Sequence, residues 1–456
     1  MKLRNYIIVG MVVAVLSLTS ASAPIYAADN FYIDIKTTSW YYNDVIKLSE
    51  MNILQGYSDN TYRPYELITF GEFIESLLNL SGVTLDTTTG YIEDKYIEYA
   101  LTNHLITQDE IYSNGIEFNQ PVPRDIVIKM LIIALRINVV QVENPFNDMS
   151  SNYINTAYNE YLIRGSYDSE GNLLCNMKSY ATRAEVATLI SRALDYINNP
   201  YEYKKEAVLN NANNNVLTRE AEILDLLYIM NKEFISEFTV RTTFTIKELS
   251  LIYQTGNDLY ADVFQANSIN FSYFGFGNVP ITITLCYDSG IEYVKQRTQN
   301  SIEIAKQAVQ SIITDSMTDR EKVRAIHDYI ILNCEYDYEN YLKNTIPEAS
   351  YRIYGVFENQ VAVCKGYAAA FNLMCKMVGV KAISMSGSDS TGGYHAWNAV
   401  LINGTVYYVD LIYDDPVPDV KGKVITDYFM LTENEMAGKG FSWNSYITQS
   451  KYFYRF

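Results

Sequence analysis

Cys364, His395 and Asp410, late in the chain, have the residue types and the placement for nucleophilic acyl chemistry. A neutral imidazole can take the proton of a thiol, while a carboxylate holds the ring and stabilises the imidazolium that forms. The thiolate then attacks an amide or ester carbonyl, and the acyl-enzyme is resolved by an amine or by water. The chain has only three histidines, His104, His327 and His395, so few residues can serve as the base. His327 lies beside the apolar stripe Val323, Ile326, Ile330 of a predicted helix and reads as a partly buried packing residue. Asp414 and Asp415 lie beyond the strand that ends at Asp410 and are weaker partners for the base. Asp389 sits in the polar stretch Ser386 to Gly393, where a solvated turn residue is expected.

Two elements would have to position these side chains. Val363 to Phe371, continuing through Leu373, Met374 and Met377, reads as a small-residue helix that begins at or beside Cys364. The exposed N–H groups of a helix start favour a thiolate and can form part of an oxyanion hole. Gln360 is a candidate second donor, whereas Cys375, three turns deeper, reads as buried. A small core hydrophobe is the alternative reading of Cys364 itself. Tyr394 to Ile402 reads as a strand, Asn403-Gly404 as a two-residue turn and Thr405 to Asp410 as the returning strand. That turn sets Ile402 opposite Thr405 and Trp397 opposite Asp410, so His395 becomes a diagonal neighbour of Asp410, roughly 7 to 8 Å away between backbones.

Val363-Cys364-Lys365-Gly366-Tyr367-Ala368, His395-Ala396-Trp397-Asn398 and Val409-Asp410, with a capped helix from Thr318 that leads to Tyr336-Asp337, resemble the bacterial transglutaminase-like superfamily. The resemblance implies a papain-like α+β core over 318–456 with Cys364, His395 and Asp410 as its triad. Family members include protein crosslinkers, peptidases, other amidases and proteins of unproven activity, so the fold does not choose the reaction. No motif implies a metal or an organic cofactor.

The first part of the chain repeats itself. First helices end at Asn52-Ile53-Leu54, His104-Leu105-Ile106 and Tyr161-Leu162-Ile163. Second helices are entered at Ile68-Thr69-Phe70-Gly71-Glu72, Val122-Pro123-Arg124-Asp125 and Ala181-Thr182-Arg183-Ala184-Glu185. The period is roughly 50 to 60 residues. Phe31 to Leu80, Tyr91 to Leu135 and Phe146 to Leu194 resemble three S-layer homology repeats. The first is the clearest, with Trp40, Gly56-Tyr57-Ser58-Asp59 through Arg63-Pro64, and Ile68-Thr69. The resemblance implies a mainly α trimeric unit that binds an anionic cell-wall polysaccharide, with Arg124 and Arg183 placed to pair with its carboxylates. Repeat one has Phe70 at that position, and the arginines could equally brace the bundle.

Of the 456 residues, 1–27 read as an export leader: Lys2 and Arg4, the apolar run Ile7 to Leu18, and a cleavage site after Ala27. The polar run 198–216 reads as a linker and 217–317 as an α+β region without visible chemistry, either a separate domain or an extension of the catalytic one. The net charge of −18 excludes nucleic acid and anionic membrane as partners. The five cysteines are widely spaced and form no CxxC pair, so they suggest neither a disulfide framework nor a zinc site. The expectation is a multidomain, secreted, wall- or S-layer-bound bacterial cysteine enzyme acting on amide bonds of surface proteins or wall peptides. A non-catalytic surface protein, used for binding or wall architecture, is the alternative.

Overall fold

The computed structural model describes residues 32–85, 91–139, 144–176, 179–273 and 279–444, together with Thr448. The expected leader lies outside them. Three helix pairs come first: α1 (Tyr42–Glu50) with α2 (Phe70–Leu80), α3 (Ile92–Thr102) with α4 (Arg124–Ala134), and α5 (Asn152–Asn159) with α6 (Arg183–Asn198). Helices α2 and α6 start where the sequence supplies a capping box, Thr69 with Glu72 and Thr182 with Glu185. The segments entering α2, α4 and α6 meet in a closed ring of backbone hydrogen bonds. Ile68 N–H donates to the carbonyl of Ala181 (3.0 Å), Ala181 N–H to that of Val122 (3.4 Å) and Val122 N–H to that of Ile68 (3.1 Å). One core containing Leu48, Phe73, Leu131, Ile154 and Ile190 joins the three pairs.

Residues 198–216, whose composition marks a linker, instead form helix α7 (Pro200–Asn214). Asn199 caps it by accepting from the Glu202 N–H, and Pro200 occupies the first helical position, where its missing N–H costs nothing. The asparagines are poor helix formers, but Val208 and Ala212 are buried on one face and Tyr203 donates to the carbonyl of Tyr161 at 2.7 Å. Tertiary packing overrides propensity here.

The remainder is α+β. Helix α8 (Glu220–Lys232), strand β1 (Glu237–Thr242), helix α9 (Ile246–Leu259) and strands β2 (Ser268–Tyr273) and β3 (Ile281–Cys286) lead into the long helix α10 (Ile291–Ile312). Helices α11 (Asp319–Asn333) and α12 (Cys364–Met377) precede strands β4 (Lys381–Ser388), β5 (Tyr394–Ile402) and β6 (Thr405–Val409). A four-residue helix, α13 (Leu411–Asp414), and strand β7 (Ser442–Trp443) follow. The antiparallel sheet runs β6-β5-β4-β7, with Ile402 paired to Thr405 across the Asn403-Gly404 turn.

This sheet is buried on both faces, and alternation along its strands shows by what. Ala382, Val400, Ile402 and Val409 share a core with Ala370, Phe371 and Met374 of α12 and with Ile326 and Ile330 of α11. Ile383, Met385, Trp397, Ala399 and Tyr408 share another with Leu224 and Leu227 of α8, Leu249 of α9 and Ile283 of β3. Of the two readings open for 217–317, a separate domain or an extension of the core, this shared packing favours the extension: residues 217–285 cover the second face of the sheet.

Candidate active site

Cys364 is the first residue of α12. Val363 precedes it in extended backbone and offers no side-chain cap, so the first-turn N–H groups point toward the thiol end of the helix without a capping oxygen. The helix start is pinned from outside, because the Val363 N–H donates to the carbonyl of Ser350 at 2.9 Å. Gly366 is required by that approach: a Cβ there would lie 2.5 Å from the Ser350 carbonyl oxygen. Gly366→Ala is expected to push α12 off this segment, lowering stability by about 1–3 kcal/mol and slowing modification of Cys364. Paired thermal melts and thiol-alkylation rates check this, and unchanged values would show that the contact is slack.

His395 sits near the start of β5, only 6% exposed. Its Nε2 meets Asp410 Oδ2 at 2.7 Å, and the Cys364 thiol lies near enough to the ring to help hold its proton, with Nδ1 the nitrogen that Asp410 leaves free. Asp410 is fully buried, and its other oxygen caps α13 by accepting from the N–H groups of Ile412 (2.9 Å) and Tyr413 (3.2 Å). The carboxylate is thus fixed in orientation before it meets the imidazole. The rings of Trp397, Tyr413 and Phe441 enclose His395 at centroid distances of 6.0, 5.5 and 6.0 Å. Asp389 is tied in as well as turned: it accepts from the Thr391 and Gly393 N–H groups, and from the Tyr413 hydroxyl at 3.2 Å. The structure therefore brings Cys364, His395 and Asp410 together.

Burial opposes charge on His395, but Asp410 and then Cys364 outweigh it and push its pKa up to about 10. Because the folded value lies above the ordinary value of about 6.5, this stabilisation is fully present below about pH 6.5 and is lost as pH rises through about 10. With only three histidines in the chain, ring NMR can follow each of them. The His395 imidazolium is expected to persist beyond about pH 8 and, unlike that of His327, which Asp328 and Asp414 also hold raised, to titrate lower in Asp410→Asn. A His395 ring that titrates near 6.5 would contradict the ion-pair geometry.

A second histidine–carboxylate pair braces the first. His327, fully buried, meets Asp328 Oδ1 through Nδ1 at 2.8 Å and Asp414 Oδ2 through Nε2 at 3.2 Å. Asp414 ends the helix that Asp410 begins and also accepts from the Tyr428 N–H at 2.9 Å. His327 and Asp414 are 87 positions apart, and the only local sign of their pairing is the place of the histidine beside an apolar stripe. Asn398 and Asn372 do similar work between strand and helix. Asn398 Nδ2 donates to Asn372 Oδ1 and to the carbonyl of Ala368, both at 2.9 Å, and so fixes β5 against α12.

The 217–317 region reaches the site itself. Lys365, beside the nucleophile, donates to Asn257 Oδ1 of α9 at 3.1 Å, and burial followed by the charge of Arg352 holds its pKa down to about 8. Arg352 is 4% exposed and donates to the carbonyls of Phe264 (3.2 Å) and Ala266 (3.0 Å) and to Glu348 (2.7 Å). Lys376, on the last turn of α12, meets both oxygens of Asp262 at 2.9 Å. Gln360 stands exposed in left-handed backbone (φ 57°), its carbonyl accepting from the Glu335 N–H.

The two arginines read as polymer-binding part company. Arg183 is 1% exposed. It donates to the carbonyls of Tyr62 (2.9 Å) and Gln55 (2.5 Å) and to Glu72 (2.6 Å), and its guanidinium lies over the rings of Tyr57 and Tyr62. It is a brace between the third and first helix pairs, which corrects its assignment to a binding site. Arg124 keeps a quarter of its side chain exposed and pairs with Glu185 at 2.7 Å. The pairing is cyclic: the first residue of α4 meets the third of α6, and the first of α6 meets the third of α2. At the remaining corner both positions are apolar and buried, Phe70 and Ile126. Losing Arg183 leaves Glu72 unpaired, so Arg183→Ala is expected to cost about 3–5 kcal/mol of anchor stability. Arg124→Ala is expected to cost under about 1 kcal/mol. Chemical denaturation of each variant tests the contrast, and equal losses would refute it.

Comparison with known proteins matches two segments of the chain. Residues 306–411 match the model of the transglutaminase-like superfamily, and residues 32–74 that of the S-layer homology domain. Kyphoscoliosis peptidase of Mus musculus is 27% identical over 139 residues, covering 27% of this chain and 21% of the relative. The Homo sapiens protein is 29% identical over 138 residues, covering 28% and 20%. The chain thus spans about a fifth of the length of these curated relatives. A solved crystal structure of a TGase aligns with a TM-score of 0.23 at 16% identity, over 39% of this chain and 51% of that one. All three candidate side chains thus lie inside the segment that matches the transglutaminase-like superfamily, and the S-layer homology match falls on the start of the first helix pair's region.

Proposed function

We propose that this chain is a secreted, wall-anchored cysteine enzyme with a papain-like core that acts on amide bonds of surface proteins or wall peptides. The observation that carries the proposal is the His395–Asp410 hydrogen bond set beside Cys364, the first residue of α12. The thiol proton resides on His395, and the Cys364 thiolate adds to the amide carbonyl. The oxyanion is met by N–H groups of the helix start, and the imidazolium protonates the departing amine. A second amine or water then loses its proton to His395 and displaces the thiolate, giving transfer or hydrolysis. The proposed export rests on residues 1–27.

The anchor part of the proposal rests on the S-layer homology match at 32–74 and on the three helix pairs assembled around the Ile68–Val122–Ala181 ring. A groove of about 230 Å³ between them is lined by Trp40, Arg124, Arg164, Glu185 and Arg192. An exposed indole (63%) beside a guanidinium that has donors to spare suits a carboxylated sugar. The test is to incubate the mature protein with wall peptides or surface proteins and a fluorescent primary amine, and to read products by mass spectrometry. Amine incorporation or amide hydrolysis that vanishes in Cys364→Ala supports the enzyme reading. Absence of both, with no acyl adduct on Cys364, overturns it.

A further inference from the structure

A larger cleft, about 870 Å³, opens where the third helix pair meets α7 and the start of α8. It adjoins the small groove: Ile163, Arg164 and Arg192 line both. Its volume is at the upper end of pockets that hold drug-sized ligands, about 300–1,000 Å³, which suits a short oligosaccharide better than one ring.

The junction of the two spaces is built for an anion. Arg192 is tied to the carbonyl of Leu162 at 3.0 Å and is held below its ordinary pKa by burial and then by the charge of Arg164. Among the described residues neither arginine has a carboxylate at ion-pair distance, whereas Lys47, Arg124 and Lys205 each do. The charge of Arg164 bears on Arg192, and a bound anion at the junction would relieve that repulsion. Most acidic groups of the cleft are already engaged: Asp195 by Lys47, Glu202 by Lys205, and Glu222 by the N–H groups of Thr218 and Arg219. Beyond the junction the walls offer rings and planar polar groups, the usual recognition set for sugars. Tyr167 is 58% exposed, Tyr158 carries Arg219 at 4.8 Å over its ring, and Asn210 and Asn214 stand on the facing turns of α7.

We infer that this cleft binds the continuation of the acidic saccharide held in the Arg124 groove, with Arg164 and Arg192 taking a carboxylate at the junction and Tyr158, Tyr167 and Asn210 meeting the sugar rings that follow. The inference rests on the wall-polymer reading above and extends it past the repeats. Because α8 shares a core with the catalytic sheet, a glycan in this cleft touches anchor and catalytic unit together. It would fix the direction in which the active site faces along the wall.

The test uses the mature full chain and the anionic wall polysaccharide released from purified peptidoglycan, with binding measured by calorimetry. Ala207→Trp fills the cleft from α7 without touching the groove, and Tyr167→Ala removes an exposed ring at little risk to folding. Each is expected to weaken binding of the long polymer at least about tenfold, while a single repeat unit, held in the groove, binds as to wild type. Arg124→Ala is expected to weaken both. Long-polymer binding unchanged in Ala207→Trp and Tyr167→Ala, with Arg124→Ala weakened, would overturn the cleft and leave the groove reading standing. No binding by wild type would overturn the wall reading and the inference with it.

Discussion

Replacing His395 with alanine is expected to slow acylation of Cys364 by about 10⁴- to 10⁶-fold, with Asp410→Asn near the lower end of that range. The two differ because they remove different things. Without the imidazole the thiol loses the ring that holds its proton, whereas asparagine at 410 still caps α13 through its carbonyl oxygen and keeps the backbone in place. What asparagine loses is the charge that holds His395 protonated and turned toward the thiol. Single-turnover kinetics with an activated ester substrate would separate them. Rates within tenfold of wild type for both variants would mean that Cys364 reacts without this base.

Excising the superfamily domain at residue 318 is expected to yield insoluble or molten protein, while a fragment beginning at 199 folds. The cut would expose the face of the catalytic sheet that α8, α9 and β3 cover. Ile383, Met385, Trp397 and Tyr408 all lie on that face. At about 1.5–3 kcal/mol for each large apolar side chain, these four account for about 6–12 kcal/mol, comparable to the entire stability of an ordinary domain, about 5–15 kcal/mol. Arg352 and Lys376 would also lose their partners at Phe264, Ala266 and Asp262. Size-exclusion chromatography and circular dichroism of the two fragments decide the matter. A monomeric, cooperatively melting 318–456 fragment would show that the cover is dispensable.

The parts of this architecture legible in the sequence are those set by local rules. Asn403-Gly404 dictates a two-residue turn, and the turn dictates a register that places His395 beside Asp410. The capping boxes at Thr69, Thr182 and Thr318 mark helix starts in the same way. What could not be read depends on tertiary context. The Asn-rich run of α7 has linker composition and becomes a helix because Val208 and Ala212 find a core to enter. Arg124 and Arg183 occupy equivalent positions in their repeats, and only packing against Tyr57 and Tyr62 separates a buried brace from a half-exposed donor. The His327–Asp414 pair escaped notice because a polar residue beside an apolar stripe gives no hint of a partner 87 positions away.

The most direct test of the central claim is intact-mass labelling of the mature protein at neutral pH with a thiol-directed acyl-enzyme probe, in wild type, Cys364→Ala and His395→Ala. The account predicts one adduct, mapped to Cys364 among five free cysteines, formed rapidly in wild type and lost in both variants. Adducts that persist in Cys364→Ala, or wild-type labelling no faster than in His395→Ala, would contradict it.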